Sequence, residues 1–283
     1  MKFIKAFTLL IILAGAVAFM ASPALRSEVN GLLHLSRESQ LLGRLEESHL
    51  LPPPLPSAID ARNAFLTQTG TLEWTNYQRK QDGLQKLKLN PLLNQAAQLK
   101  LSDMFKQQYF EHESPSGVGP SDLADEVGYA YVIVGENLAL GNFENDQALV
   151  EAWMNSPGHR ENILNDRYEE IGIAVGKGLY EGREVWLAVQ SFGTPLSSCP
   201  SIDEALKTNL DNNQTEITAL QAQLAVLKAE IESTNKSDSE KYNAKVKEYN
   251  NLVEKLNSLI NVTKEITQQY NSQVNSFNAC LKQ

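Results

Sequence analysis

Beyond Pro200 the apolar positions repeat in steps of three and four. Ile217, Leu220, Leu224, Leu227 and Ile231 form one run. Val246, Tyr249, Val253, Leu256, Ile260, Thr263, Thr267, Tyr270, Val274, Phe277 and Leu281 form a second. This alternation puts every such residue on one face of a helix, and a heptad stripe needs a partner helix to cover it. No glycine or proline follows Pro200. The polar stretch Ser233 to Ser239 separates the runs, so residues 201–283 are expected to fold as an antiparallel helical hairpin, a coiled coil. One long helix that tolerates the polar stretch is the alternative.

Upstream the periods are mixed. Leu72 to Gln81 reads as a helix. Asn90 and Pro91 supply an N-cap and a first helical residue, and Leu92, Leu93, Ala96, Ala97, Leu99, Lys100, Met104 and Phe105 give the helix that follows one face. It runs to about Tyr109, before the turn Ser114-Pro115-Ser116-Gly117. Tyr131 to Val134 reads as a strand. Asp146 to Asn155 reads as a helix that Pro157-Gly158 ends. Ile171 to Gly176 and Val185 to Phe192 read as strands joined by a glycine-rich hairpin. Trp74, Trp153 and Trp186 all fall in this region and read as core anchors.

The first 25 residues have another character. Lys2 and Lys5 precede an uncharged run from Ala6 to Leu25, long enough for a bilayer-spanning helix of about 20 residues. Ser22-Pro23-Ala24 offers small residues for cleavage. Residues 1–25 are therefore expected to be a signal peptide or an N-terminal transmembrane anchor, with anchoring favoured. Either way the remainder is expected to be extracytoplasmic, because the positive charge precedes the run. Residues 26–65 read as a helical stalk rich in leucine, then a stiff proline-rich linker from Pro52 to Pro56. His34 and His49 read as solvated side chains of that stalk.

Charge narrows the partners. The chain carries a net charge of −9. Residues 26–199 hold 14 Lys and Arg against 23 Asp and Glu, which accounts for the whole deficit. No stretch is strongly basic, so nucleic acid is not an expected partner.

The candidate chemistry lies in three short stretches. His112 sits beside Ser114-Pro115-Ser116-Gly117, His159 follows Ser156-Pro157-Gly158, and Glu136 is a lone carboxylate in the apolar run Val134 to Ala139. Two imidazoles and a carboxylate suit metal ligation or proton transfer. The chain has no HExxH, CxxC or GxSxG motif. Ser114 and Ser156 read as turn formers.

These stretches, in this order, resemble the CAP superfamily of cysteine-rich secretory, antigen 5 and pathogenesis-related-1 proteins, in its bacterial-type SCP form. Trp74-Thr75-Asn76, Asn90 to Ala97, Gly135-Glu136-Asn137, the block Trp153 to Leu164, Glu170 to Ala174 and Trp186 to Gly193 carry the likeness. The resemblance implies an α+β fold: an α/β/α sandwich over residues 66–200 with a small antiparallel sheet, its groove lined by His112, Glu136 and His159. Ser156 stands where many members have a second glutamate, so the site is reduced to three ligands for Zn²⁺ or another divalent cation, bound weakly. The resemblance leaves two functions open. One is a cell-envelope binding module for a wall polymer, lipid or protein, with the coil giving reach or self-association. The other is a metal-assisted hydrolase of peptide or envelope polymer, with His112, Glu136 and His159 as candidate catalytic groups.

Cys199 and Cys280 are the only cysteines. One precedes the first coil helix and the other ends the second, and their midpoint falls at the polar break. An antiparallel hairpin would bring them together, so a Cys199–Cys280 disulfide is expected in an exported protein.

Overall fold

The computed structural model describes residues 51–61 and 63–282. The expected N-terminal anchor and helical stalk lie outside the described residues. The chain divides into two compact units, one ending at Cys199 and one containing Pro200 to Gln283.

The first unit is built on a five-stranded sheet. Strands β1 (Leu55–Asp60), β2 (Lys88–Leu89), β3 (Tyr131–Asn142), β4 (Glu170–Tyr180) and β5 (Arg183–Pro195) lie in the order β1-β3-β5-β4-β2. The three long central strands pair antiparallel, with Glu136 level with Ser191 and Ala174 level with Val189. The outer strands β1 and β2 pair parallel with β3 and β4. The sheet is thus mixed rather than wholly antiparallel. Both parallel pairings come from short segments that precede helices.

Helices cover the two faces. On one side lie α1 (Gln68–Gln81), α4 (Asp146–Met154) and α5 (Pro157–Ile163); on the other lie α2 (Pro91–Gln107) and α3 (Pro120–Glu126). Leu149, Val150, Trp153 and Ile163 pack with Ala139, Ile173, Ala188 and Phe192 in the first layer. Ala97, Leu101 and Met104 pack with Leu138, Ala174, Leu187 and Val189 in the second. Residues 134–139 of β3 are all buried, as a strand covered on both faces requires. Trp153 is fully buried, while Trp74 and Trp186 are partly buried against the same cluster.

Two local expectations are corrected, and one helix had no counterpart among them. The proline-rich linker does not stand off as a spacer: Pro52 is buried, and Leu55 and Pro56 pair with Ala139 and Leu140. Proline lacks a ladder donor but is tolerated on an edge strand. Pro157-Gly158 does not only end a helix. Pro157 opens α5, because its missing N–H would be unpaired at a helix start in any case. Helix α3 had no periodic signal; Pro120 and the Asp122 side chain, which accepts from Gly119 N–H at 2.9 Å, start it.

The second unit holds α6 (Glu204–Ser233) and α7 (Ser239–Leu281). They pack antiparallel. Lys245 pairs with Glu230 at 2.6 Å and Lys255 with Glu216 at 2.7 Å, while Asn213 donates to Thr263 at 3.2 Å. Partner numbers therefore rise along one helix as they fall along the other. Ile217, Leu220, Leu224, Leu227 and Ile231 meet Val246, Tyr249, Leu256 and Ile260, as the heptad stripe predicts. Both cysteines are disulfide-bonded, and the chain has no third, so the bond joins Cys199 to Cys280.

Candidate functional site

Glu136 is fixed in the middle of β3 and is 1% exposed. His112 arrives from the loop after α2. That loop is tied down by Lys100, whose buried ammonium donates to the His112 carbonyl at 2.5 Å and lies 4.8 Å over the Tyr109 ring. Burial lowers the Lys100 pKa, and the Glu136, Asp103, Glu111 and Glu113 carboxylates oppose that shift. His159 stands in the first turn of α5.

The structure brings His112 and Glu136 into direct contact, with Nδ1 and Oε1 2.7 Å apart. The other ring nitrogen, Nε2, lies 2.6 Å from the Pro52 carbonyl. A carbonyl can only accept, so Nε2 carries a proton. Nδ1 faces a carboxylate, and one proton lies between those two groups, on whichever side. Both nitrogens of His112 are therefore engaged.

His159 is linked to neither group by a hydrogen bond. Its Nδ1 lies 2.8 Å from Ser156 Oγ, so Ser156 is more than a turn former: it orients the imidazole. His159 is close enough to His112 for the two to influence each other. Burial, then the neighbouring His112, push its pKa down to about 4, with a weaker opposing pull from the Leu138 carbonyl. Two buried atoms have no hydrogen-bond partner here, Glu136 Oε2 and His159 Nε2.

A polar network supports the site from behind. Asn162 Nδ2 donates to the Glu136 carbonyl at 3.1 Å and to Asn137 Oδ1 at 2.9 Å. Asn137 Nδ2 donates to the His159 carbonyl at 3.1 Å and to Gln190 Oε1 at 3.2 Å, and Gln190 donates to Thr75 at 2.7 Å. Arg79, 1% exposed, holds the far end of α5. Its guanidinium donates to the carbonyls of Gln85, Ile163, Asn165 and Tyr168. Sequence reasoning missed Arg79 and gave Lys100 no role beyond the helix face, because a buried cation has no signature in a hydrophobicity pattern. Asn137 and Asn162 lie in stretches that carried the family resemblance, but they were given no role of their own.

The zinc expectation meets a mismatch. A catalytic zinc site uses three protein ligands and a structural one four. Among the described residues, no group of three or more His, Cys, Asp or Glu side chains is arranged to hold a metal ion. His112 has no free nitrogen, which leaves two open donors, Glu136 Oε2 and His159 Nε2. As placed, His112, Glu136 and His159 do not fit the ion. A serine triad is incomplete too. Ser156 and His159 touch, but the carboxylate that would orient the base is bonded to the other histidine.

Residues 72–192 match the model of the CAP, or cysteine-rich secretory protein, family. Among curated proteins, the chain is 38% identical over 115 residues to the uncharacterized protein YkwD of Bacillus subtilis (strain 168), covering 41% of this chain and 43% of that one. It is 34% identical over 109 residues to the uncharacterized membrane protein YlbC of the same organism, covering 38% of this chain and 31% of that one. The match thus spans less than half the length of either relative. Among solved structures, an extracellular protein containing a SCP domain from Bacillus anthracis str. Ames is 26% identical, with 44% of this chain and 39% of that one covered and a TM-score of 0.38. An outer surface protein from Borrelia burgdorferi is 21% identical, with 47% of this chain and 97% of that one covered and a TM-score of 0.40.

Proposed function

We propose that this protein, whose residues 72–192 are a CAP domain, works outside the cytoplasm as a cell-envelope binding module. Its ligand enters the groove of His112, Glu136 and His159, and the helical hairpin gives reach or self-association. The membrane-protein name of one relative and the charged-then-apolar start of the sequence support an envelope location. Among the described residues no helix is long and apolar enough to cross a membrane, so anchoring by residues 1–25 remains part of the proposal.

One observation carries the binding reading: Glu136 Oε2 and His159 Nε2 are buried and unpaired beside a histidine that is fully hydrogen-bonded. Buried polar atoms are nearly always satisfied, so an open pair in a preorganised setting suits a polar ligand. Among the described residues no group of three or more His, Cys, Asp or Glu side chains is arranged to hold a metal ion.

Co-sedimentation of the full chain with peptidoglycan sacculi and with anionic lipid vesicles tests the reading. Retention on one of these surfaces should fall about tenfold or more in Glu136→Gln and in His159→Ala, a loss of roughly 1.4 kcal/mol. Equal retention of wild type and both variants would move binding off the groove. Turnover of peptide or wall polymer, lost in His159→Ala with the fold intact, would assign a hydrolase instead.

A further inference from the structure

A piece of this chain already lies against the His112–Glu136 pair. Pro52 is buried and its carbonyl meets His112 Nε2 at 2.6 Å. Because β1 runs parallel to β3 and Leu55 is level with Ala139, the three residues before Leu55 run back along β3 towards Glu136. β1 itself pairs with β3 only from Ala139 onward. Among the described residues, the β3 stretch before Ala139 has a ladder partner on the β5 side alone. That open edge is where Pro52 lies.

Two glycines make room for this strap. A Cβ at Gly158, in the first turn of α5, would stand 2.6 Å from the Pro52 Cβ, and one at Gly141 on β3 would stand 2.4 Å from the Ser57 Cβ. The strap meets its neighbours through the Pro52 carbonyl, through pairing of Leu55 and Pro56 with β3, and through close approach to Gly158 and Gly141. Pro53 and Pro56 are exposed, so their rings do not anchor it. Its prolines keep it extended, but they also remove the N–H groups of residues 52, 53 and 54. The strap can therefore give His112 a carbonyl, but its prolines offer no amide proton to Glu136 Oε2, which stays unpaired.

We propose that the groove is a receptor for an extended peptide chain laid along the open edge of β3, and that residues 51–56 are its tethered, replaceable occupant. The proposal rests on reading the groove as a binding site and names the ligand class. An incoming chain would place one carbonyl on His112 Nε2–H and one amide N–H on Glu136 Oε2, a bond the proline strap cannot make. Strand addition to a sheet edge takes its affinity from main-chain hydrogen bonds in this way. A tethered competitor acts at an effective concentration of about millimolar for a short linker, so the strap also sets a threshold for ligand entry.

The test replaces residues 51–56 by Gly-Ser-Gly-Ser-Gly-Ser in the full chain and supplies peptide in trans. Two probes are titrated, acetyl-Leu-Pro-Pro-Pro-Leu-Pro-amide and its counterpart with three alanines in place of the first three prolines. Both should bind the replaced chain, the alanine peptide more tightly, and at least about tenfold better than they bind wild type. Binding should be lost in His112→Ala and in Gly158→Ala made on the same background. Failure of both peptides to bind a folded replaced chain would overturn the proposal. Should the replaced chain not fold, wild type itself decides. The His112 Nε2–H proton resonance should shift as the alanine peptide is raised through about 10 mM, beyond the tether's millimolar range, and an unmoved resonance overturns the proposal equally. Envelope retention is measured on the same proteins. Retention without peptide binding would sink this inference and spare the envelope reading, and peptide binding without retention would do the reverse.

Discussion

His159 is neutral in the fold over most of the accessible pH range, because burial and the neighbouring His112 hold its pKa near 4 against an ordinary value of 6.5. In the unfolded chain it gains a proton as pH falls through about 6.5. Between those values the unfolded state binds more protons than the folded one, so stability falls as pH drops and levels off below about 4. Urea unfolding from pH 7.5 to 4 should therefore show a declining midpoint, and His159→Gln should flatten that decline. An identical slope in the variant would place the titrating group elsewhere. His112 differs, since both its nitrogens are already bonded. Calorimetric titration with Zn²⁺ should accordingly give only weak binding, changed little by His112→Ala. Tight binding lost in that variant would mean that the strap lifts and the imidazole turns to the metal.

At the scale of elements, legibility followed periodicity. Helix α2 and the two hairpin helices carry a run of apolar residues at one period, and each was readable; the long strands were read only in part, β3 over Tyr131 to Val134 alone, because a strand buried on both faces shows no alternation. Strand β1 was not readable, because Pro52-Pro53-Pro54-Leu55-Pro56 is legible as extended backbone but says nothing of what it lies against. Helix α5 was hidden because Pro-Gly serves both as a stop and, with proline at the first position, as a start. The candidate site was legible in its residue types, His112, Glu136 and His159, since they matched an ordered family pattern. Its wiring was not: Pro52 on His112, Ser156 on His159 and Arg79 under α5 are contacts across 60, 3 and 84 or more residues. Arg79 shows what such a contact holds. Its cation closes the C-terminal end of α5, where the last carbonyls of a helix lack partners. Arg79→Leu leaves four carbonyls without that donor and should destabilise the protein by about 3 kcal/mol, the usual range for breaking a buried charged hydrogen-bond set. Denaturant unfolding checks the magnitude. A loss below about 1 kcal/mol would show that solvent satisfies those carbonyls instead.

For the whole molecule, the covalent link between Cys199 and Cys280 closes a loop that contains all of α6 and nearly all of α7. The two helices already have an apolar seam and opposed charge pairs at Glu230–Lys245 and Glu216–Lys255, so the bond is not needed to choose their antiparallel direction. Its contribution lies in the unfolded state. Closing a loop of about eighty residues removes chain entropy worth roughly 4 kcal/mol in the loop-entropy model. Such a bond persists only in an oxidising compartment, which agrees with a protein working outside the cytoplasm. Cys199→Ser with Cys280→Ser should lower the stability of residues 200–283 by up to that amount while leaving their helix content unchanged, and reductant should bring wild type to the same midpoint. Far-UV circular dichroism across a urea gradient, with and without reductant, reads both quantities. Should the double variant match oxidised wild type in midpoint, the unfolded chain must already be compact enough for the link to remove little entropy. The heptad seam alone would then account for the stability of the hairpin.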